Sequence, residues 1–95
     1  MRVVWTESAI SDLISIREYI ERDNPEAAER VALSILNSVE MLEANPKVGR
    51  LGRVTGTREL VIAKYPYIIP YRIRDQQAEL LRVIHTRREW PDESS

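Results

Sequence analysis

The sequence contains no cysteine. That excludes a disulfide framework, a thiolate metal site and a cysteine nucleophile. It carries a single histidine, His85, and one imidazole holds no metal without carboxylate helpers, none of which stands at a ligand spacing. No apolar run approaches the roughly 20 residues that a membrane-spanning helix needs. The opening residues, Met1 to Trp5, turn polar too soon for a signal peptide. The expectation is therefore a cytoplasmic protein with no membrane partner, no metal and no cofactor. Glycine is scarce too: there are three, Gly49, Gly52 and Gly56. They lie in one loop that lacks the strand-then-helix setting and the spacing of a phosphate-binding loop, so they are expected to serve turns. No serine or threonine stands in an elbow motif or beside an orienting acid, which argues against a hydrolytic triad.

What is present is a chain of 95 residues, 43% apolar and 31% charged. This is the composition of one folded domain with a modest core. The expected domain is 1–91, with 92–95 as a loose C-terminal tail. The net charge of −1 conceals an asymmetry. Residues 1–43 hold four basic and nine acidic side chains, whereas residues 44–91 hold ten basic and four acidic ones. An acidic face and a basic face follow, the basic one suited to an anionic partner.

Hydrophobic periodicity orders the elements. Arg2-Val3-Val4-Trp5 is a β-branched and aromatic run, hence a strand. Thr6 or Ser8 can cap the helix that follows, predicted near 8–22. Asn24-Pro25 starts a second helix over about 25–44, with Asn24 as cap and Pro25 at the first helical position, where its missing N–H costs nothing. Asn45-Pro46 ends it. The period then changes from 3.6 to 2, and strands are expected near 58–64, 67–74 and 79–86. Asp75-Gln76-Gln77-Ala78 reads as the hairpin turn between the last two. Pro70 removes a ladder donor, so an edge position or a bulge is expected there. The order β-α-α-β-β-β predicts an α+β fold, a helical hairpin packed on one face of a small, mostly antiparallel sheet. Ile10, Leu13, Ile14, Val31, Ile35, Leu36, Val39, Ile69, Tyr71, Ile73, Leu81 and Val83 are the expected core.

The chemistry-bearing residues are mostly arginines. Arg72 and Arg74 share a face of the middle strand. Arg82 lies on the last strand, with Arg87 and Arg88 just beyond. Their forked donors suit phosphate or carboxylate, on the sheet's second face or its rim. A nucleic acid and an acidic protein segment fit this set equally well. His85 could act as general acid or base, or be a strand residue hydrogen-bonded to a neighbour. Trp5 reads as core, and Trp90 as a core anchor or a partner contact.

Three segments carry a family resemblance. Val4-Trp5-Thr6-Glu7-Ser8-Ala9-Ile10-Ser11-Asp12-Leu13 is similar to the opening of RelE/ParE toxins. Asn24-Pro25-Glu26-Ala27-Ala28 with Leu42-Glu43-Ala44-Asn45-Pro46-Lys47-Val48-Gly49-Arg50 resembles their second helix and its exit. Leu81 to Pro91 resembles their last strand. Together the segments run from about Val4 to Pro91 and match the ParE branch best.

The resemblance implies a toxin neutralised by a ParD-like antitoxin. Within the superfamily, ParE-type members inhibit DNA gyrase, whereas RelE-type members cut mRNA on the ribosome with basic residues and sometimes a histidine. RelE-type toxins usually carry an arginine after the tyrosine of the middle strand; in Tyr67-Ile68-Ile69-Pro70-Tyr71 that place holds Ile68. Fixed positive charge beside a phosphoryl transition state is what isoleucine lacks. Arg88 does match a RelE-type arginine. The expectation is a gyrase inhibitor without catalytic residues. The alternative is an endoribonuclease using His85, Arg88, Arg82 and Arg72, and a further alternative is a binding module without toxicity. Antitoxin or target contacts are expected among Arg58, Arg72, Arg74, Arg82, Arg87, Arg88 and Trp90.

Overall fold

The computed structural model describes residues 1–87. Strand β1 (Arg2–Trp5) leads into helix α1 (Glu7–Glu21). The Thr6 hydroxyl accepts the Ala9 N–H at 3.2 Å and donates to the Leu80 carbonyl at 2.7 Å. One side chain thus caps the helix and ties its start to the far end of the sequence. Helix α2 (Pro25–Ala44) begins as expected, with the Asn24 side chain accepting the Ala27 N–H at 3.0 Å and Pro25 in the first turn. Five strands follow: β2 (Arg50–Leu51), β3 (Arg58–Val61), β4 (Tyr67–Arg74), β5 (Gln77–Leu80) and β6 (Ile84–His85).

The sheet order is β1-β5-β4-β3-β2, with β6 also paired to β4. All pairings are antiparallel except β1 with β5, which run parallel. A parallel neighbour requires a long crossover, and the helical hairpin is part of it. Both helices cover one face of the sheet. Ala9, Val31, Ile35, Val39 and Leu42 pack with Leu60, Ile62, Tyr67, Ile69, Tyr71, Ala78, Leu80 and Val83 in one cluster. The alternation Tyr67, Ile69, Tyr71 along β4 delivers every second side chain to that face.

Several boundaries differ from the sequence reading. The β4–β5 turn is two residues, Asp75 and Gln76, both with positive φ (54° and 61°). Such a turn matches the twist of the flanking strands, so β5 starts at Gln77 instead of 79. The strand predicted over 58–64 stops at Val61; the Ile62 N–H still bonds to the Tyr67 carbonyl at 3.0 Å, and the chain turns at once. The loop holds a short strand, β2, that its glycines had concealed.

The strand predicted over 79–86 is broken. Tyr71 faces Leu80 and Ile68 faces Ile84, so residues 69–70 of β4 stand opposite residues 81–83. This is a one-residue bulge beside Pro70; of the two expectations for that residue the bulge holds and the edge position does not, since β4 lies between β5 and β3. The bulge changes the phase of the strand. Leu80 and Val83 both enter the core, while Leu81 is only half-buried.

The helical core stripes are also shifted. Ala9, Leu13, Ile16 and Ile20 form the inward row of α1, which leaves Ile10 and Ile14 on the flank and exposed. On α2 the row is Ala28, Val31, Ile35, Val39 and Leu42, and Leu36 is exposed beside it. Apolar residues outnumber the places that a single stripe offers, and the three just named lost the competition.

Candidate functional site

The described arginines of the expected surface do not form one cluster. The open face of the sheet, opposite the helices, carries Arg72 and Arg74. Arg72 is directly across from Glu79, and its Nε donates to Glu79 Oε1 at 2.7 Å. Arg74 Nη2 lies 3.6 Å from Glu79 Oε2. The Arg72 guanidinium, with Arg74 in support, holds the Glu79 carboxyl below its ordinary pKa. One carboxylate therefore engages both arginines. Further along the same face the buried Glu59 accepts from Arg50 Nε and from the Arg53 N–H, each at 3.0 Å. These two bonds anchor the glycine-containing loop.

Arg58 and Arg82 sit on the helical side. Arg58 stands opposite Tyr71, and its Nη1 donates to the carbonyls of Lys47 (3.2 Å) and Gly49 (2.8 Å). The Tyr71 hydroxyl completes the same corner: it donates to the Pro46 carbonyl at 2.7 Å and accepts the Gly49 N–H at 2.9 Å. Burial raises the Tyr71 pKa, keeping on the phenol the proton that it donates to the Pro46 carbonyl. Arg82 belongs to the rim beside α1 and not to the sheet's second face. Its Nε and Nη2 donate to the two Asp12 oxygens at 2.6 and 3.0 Å, and the Val83 N–H donates to Asp12 Oδ2 at 2.9 Å. The bulge aims Arg82 at the helix, an effect that simple alternation does not anticipate.

His85 faces Tyr67 across the β4–β6 pair, ring edge to ring face with centroids 5.2 Å apart. Its Nδ1 accepts the Arg87 N–H at 3.1 Å, which places the neutral ring's proton on Nε2. Arg87 itself is exposed. Arg88 and Trp90 lie outside the described residues. Among the described residues no group of three histidine or acidic side chains could hold a metal ion, and no helix is long and apolar enough to cross a membrane.

A small hollow of about 260 Å³ brings Arg58 and Arg72 together at the end of β3, with Leu51 and Ile73 as apolar neighbours and no acid in its lining. Of the residues expected to meet a partner, these two share this hollow. Arg74 and Arg82 do not line it; Arg74 lies against Glu79, which also holds Arg72, and Arg82 is held by Asp12. The acids were missed in the sequence, although one was within reach. Once the turn is taken as the two residues Asp75-Gln76, the register alone puts Glu79 opposite Arg72. Asp12 is separated from Arg82 by 70 positions, and no local pattern links them.

Similar chains, and a similar fold, occur in proteins that bear toxin names. Residues 3–90 match the model of the ParE toxin of the type II toxin–antitoxin system parDE. A protein of Sinorhizobium fredii that bears a toxin designation, Y4kP, is 48% identical over 90 residues, covering 95% of this chain and 93% of its own. Toxin RelE2 of Caulobacter vibrioides is 40% identical over 87 residues, covering 92% of this chain and 97% of its own. A chain from the chromosomal ParDE toxin–antitoxin system of P. aeruginosa superposes with a TM-score of 0.82 at 30% identity, over 90% of this chain and 95% of that one. Sequence, order of elements and three-dimensional arrangement agree: the chain belongs to the ParE toxin family of type II toxin–antitoxin systems, within the RelE/ParE superfamily.

Proposed function

We propose that this toxin arrests growth by binding DNA gyrase, performs no acid–base chemistry of its own, and is silenced by a ParD-like antitoxin. The observation that carries the reading is the internal engagement of the groups a nuclease would need. Arg82 is gripped by Asp12 and Arg72 by Glu79. The position of the expected RelE-type arginine is filled by Ile68, which is buried. His85 uses Nδ1 to accept the backbone N–H of Arg87. A phosphoryl transition state calls for preorganised positive charge aimed at the reacting phosphate, and charge already answered by a carboxylate offers little of it. The match to the ParE family model supports the same side.

The hollow lined by Arg58 and Arg72, flanked by the exposed Leu51, is the surface we assign to an acidic side chain of the antitoxin or of the target, with Arg58, which meets backbone carbonyls and no carboxylate among the described residues, as its donor. Further contacts we assign to Arg74, Arg82, Arg87, Arg88 and Trp90. A second reading, ribosome-dependent mRNA cleavage, draws on the name of the Caulobacter relative, Toxin RelE2.

Two assays on the purified toxin separate the readings. Inhibition of gyrase supercoiling, with message on translating ribosomes left intact, is the expected result. Cleaved message and unaffected supercoiling would replace the gyrase reading by the nuclease one.

A further inference from the structure

The loop between α2 and β3 carries apolar surface that the fold does not use. Val48, Leu51 and Val54 are 40%, 79% and 51% exposed, and none belongs to the core cluster. A single exposed valine or leucine is ordinary. Three within seven residues, preceded by Lys47 and interleaved with Arg50 and Arg53, make a patch. From Ala44 to Glu59 the chain holds four basic side chains against one acid, Glu59 itself. That acid is buried and accepts from Arg50 and from the Arg53 N–H, so the outer surface of the loop is basic.

The loop is also fixed in shape. Arg50 and Leu51 pair with Glu59 and Arg58 of β3. The Gly52 N–H donates to the Thr57 carbonyl at 2.9 Å, and Thr57 donates its N–H and its hydroxyl to the Val54 carbonyl at 3.1 and 2.6 Å. A Cβ at Gly52 would overlap the Thr57 hydroxyl, so this closure requires glycine. An apolar tip that is already ordered loses little conformational freedom when a partner covers it.

The form of the surface selects its occupant. A side chain as exposed as Leu51, on a fixed turn, is buried only by a partner that brings the pocket. A walled pocket belongs to a folded protein and not to an extended segment. The charge of the loop requires the rim of that pocket to be acidic.

We infer that Leu51 and Val54 are the anchors with which the toxin enters an acidic-rimmed pocket on its target protein, and that the positive charge of the loop steers the approach. This rests on the reading of the chain as a toxin that acts by binding a protein target. The hollow of Arg58 and Arg72, which Leu51 also lines, continues the same surface.

The test uses the full-length toxin, purified DNA gyrase and the cognate antitoxin. Three variants are compared with wild type: Leu51→Ser with Val54→Ser, Leu51→Ala, and Lys47→Glu. All three positions are exposed, and their side chains make no ion pair or hydrogen bond among the described residues. Thermal melting checks each fold. The double variant should weaken gyrase binding and supercoiling inhibition by on the order of 100-fold, and Leu51→Ala by about tenfold. Lys47→Glu should cost about threefold at low salt and less as salt rises. Affinity for the antitoxin should stay within about twofold of wild type, and growth arrest should be lost in the double variant. Should that variant fail to fold, Leu51→Ala decides alone. A folded double variant that inhibits gyrase and arrests growth like wild type would overturn the inference. So would loss of antitoxin affinity, which would assign the loop to the antitoxin. A wild-type toxin that leaves gyrase untouched fails the gyrase reading separately. Loss of growth arrest in the double variant then keeps the loop as the contact to another target, and persistence of arrest removes it.

Discussion

Asp12 and Arg82 form a two-pronged ion pair across 70 positions of sequence, and the same carboxylate accepts the N–H of Val83. Three hydrogen bonds from one side chain join α1 to the bulge of the last strand. The bulge leaves backbone groups outside the ladder, and Asp12 satisfies one of them.

Replacing Asp12 by alanine strands that N–H and releases Arg82. Hydrogen bonds to charged groups contribute about 1.5–3 kcal/mol, and the half-exposed Arg82 puts this site toward the lower end. Asp12→Asn keeps an acceptor for the Val83 N–H and should lose less. Urea unfolding of the two variants measures the difference. Equal losses would show that the ion pair, and not the backbone acceptor, carries the effect.

Gly49 is required by contact. A Cβ there would stand 2.6 Å from the Tyr71 ring and 2.9 Å from the Glu59 carbonyl. Gly49→Ala should therefore destabilise the protein by about 1–3 kcal/mol through overpacking. Tyr71→Phe removes the overlap with the hydroxyl but also strands the Gly49 N–H and the Pro46 carbonyl, at a cost of about 1–3 kcal/mol. Because burial raises the Tyr71 pKa, its contribution is complete below the ordinary phenol value of 10.0 and is lost as pH rises through the raised value. Stability against pH on the alkaline side should fall less steeply in Tyr71→Phe than in wild type.

Glu79 gives the opposite dependence. Its folded pKa is depressed below 4.5 by Arg72 first and Arg74 second. Its contribution is therefore present above 4.5 and disappears as pH falls through the depressed value. Glu79→Gln should flatten the acid limb of the stability curve and leave the two arginines more susceptible to added anions. An unchanged acid limb would mean that the pair adds nothing in solution.

His85→Gln tests the absence of catalysis. Glutamine retains an acceptor for the Arg87 N–H and a side chain of similar reach. Growth arrest should persist in this variant. A general acid or base would instead lose about 10²–10⁴ in rate, read out as loss of arrest together with loss of message cleavage.

Much of the molecule is legible locally. The two helices are specified by residues within one turn of their starts, Thr6 with Ala9 and Asn24 with Ala27, and by apolar spacing that any window along them displays. Pro70 announces the bulge because a missing N–H is a property of that residue alone. The alternation Tyr67, Ile69, Tyr71 identifies the covered face of β4. These features depend on neighbours in sequence, so sequence suffices for them.

Other features depend on partners that only the folded chain brings together. Which of several apolar helix residues face inward is settled by the sheet beneath, and so Ala9 is buried while Ile10 is exposed. The phase of the last strand is settled by where the bulge falls, which turns Arg82 from the open face to α1. Above all, the internal partners of the arginines expected to form a binding surface could not be read from sequence, because their carboxylates are distant or wait on an unknown register: Asp12 for Arg82, Glu79 for Arg72 and Arg74. A charge in sequence carries its sign, but its availability to a partner is decided by what the fold places within about 4 Å of it.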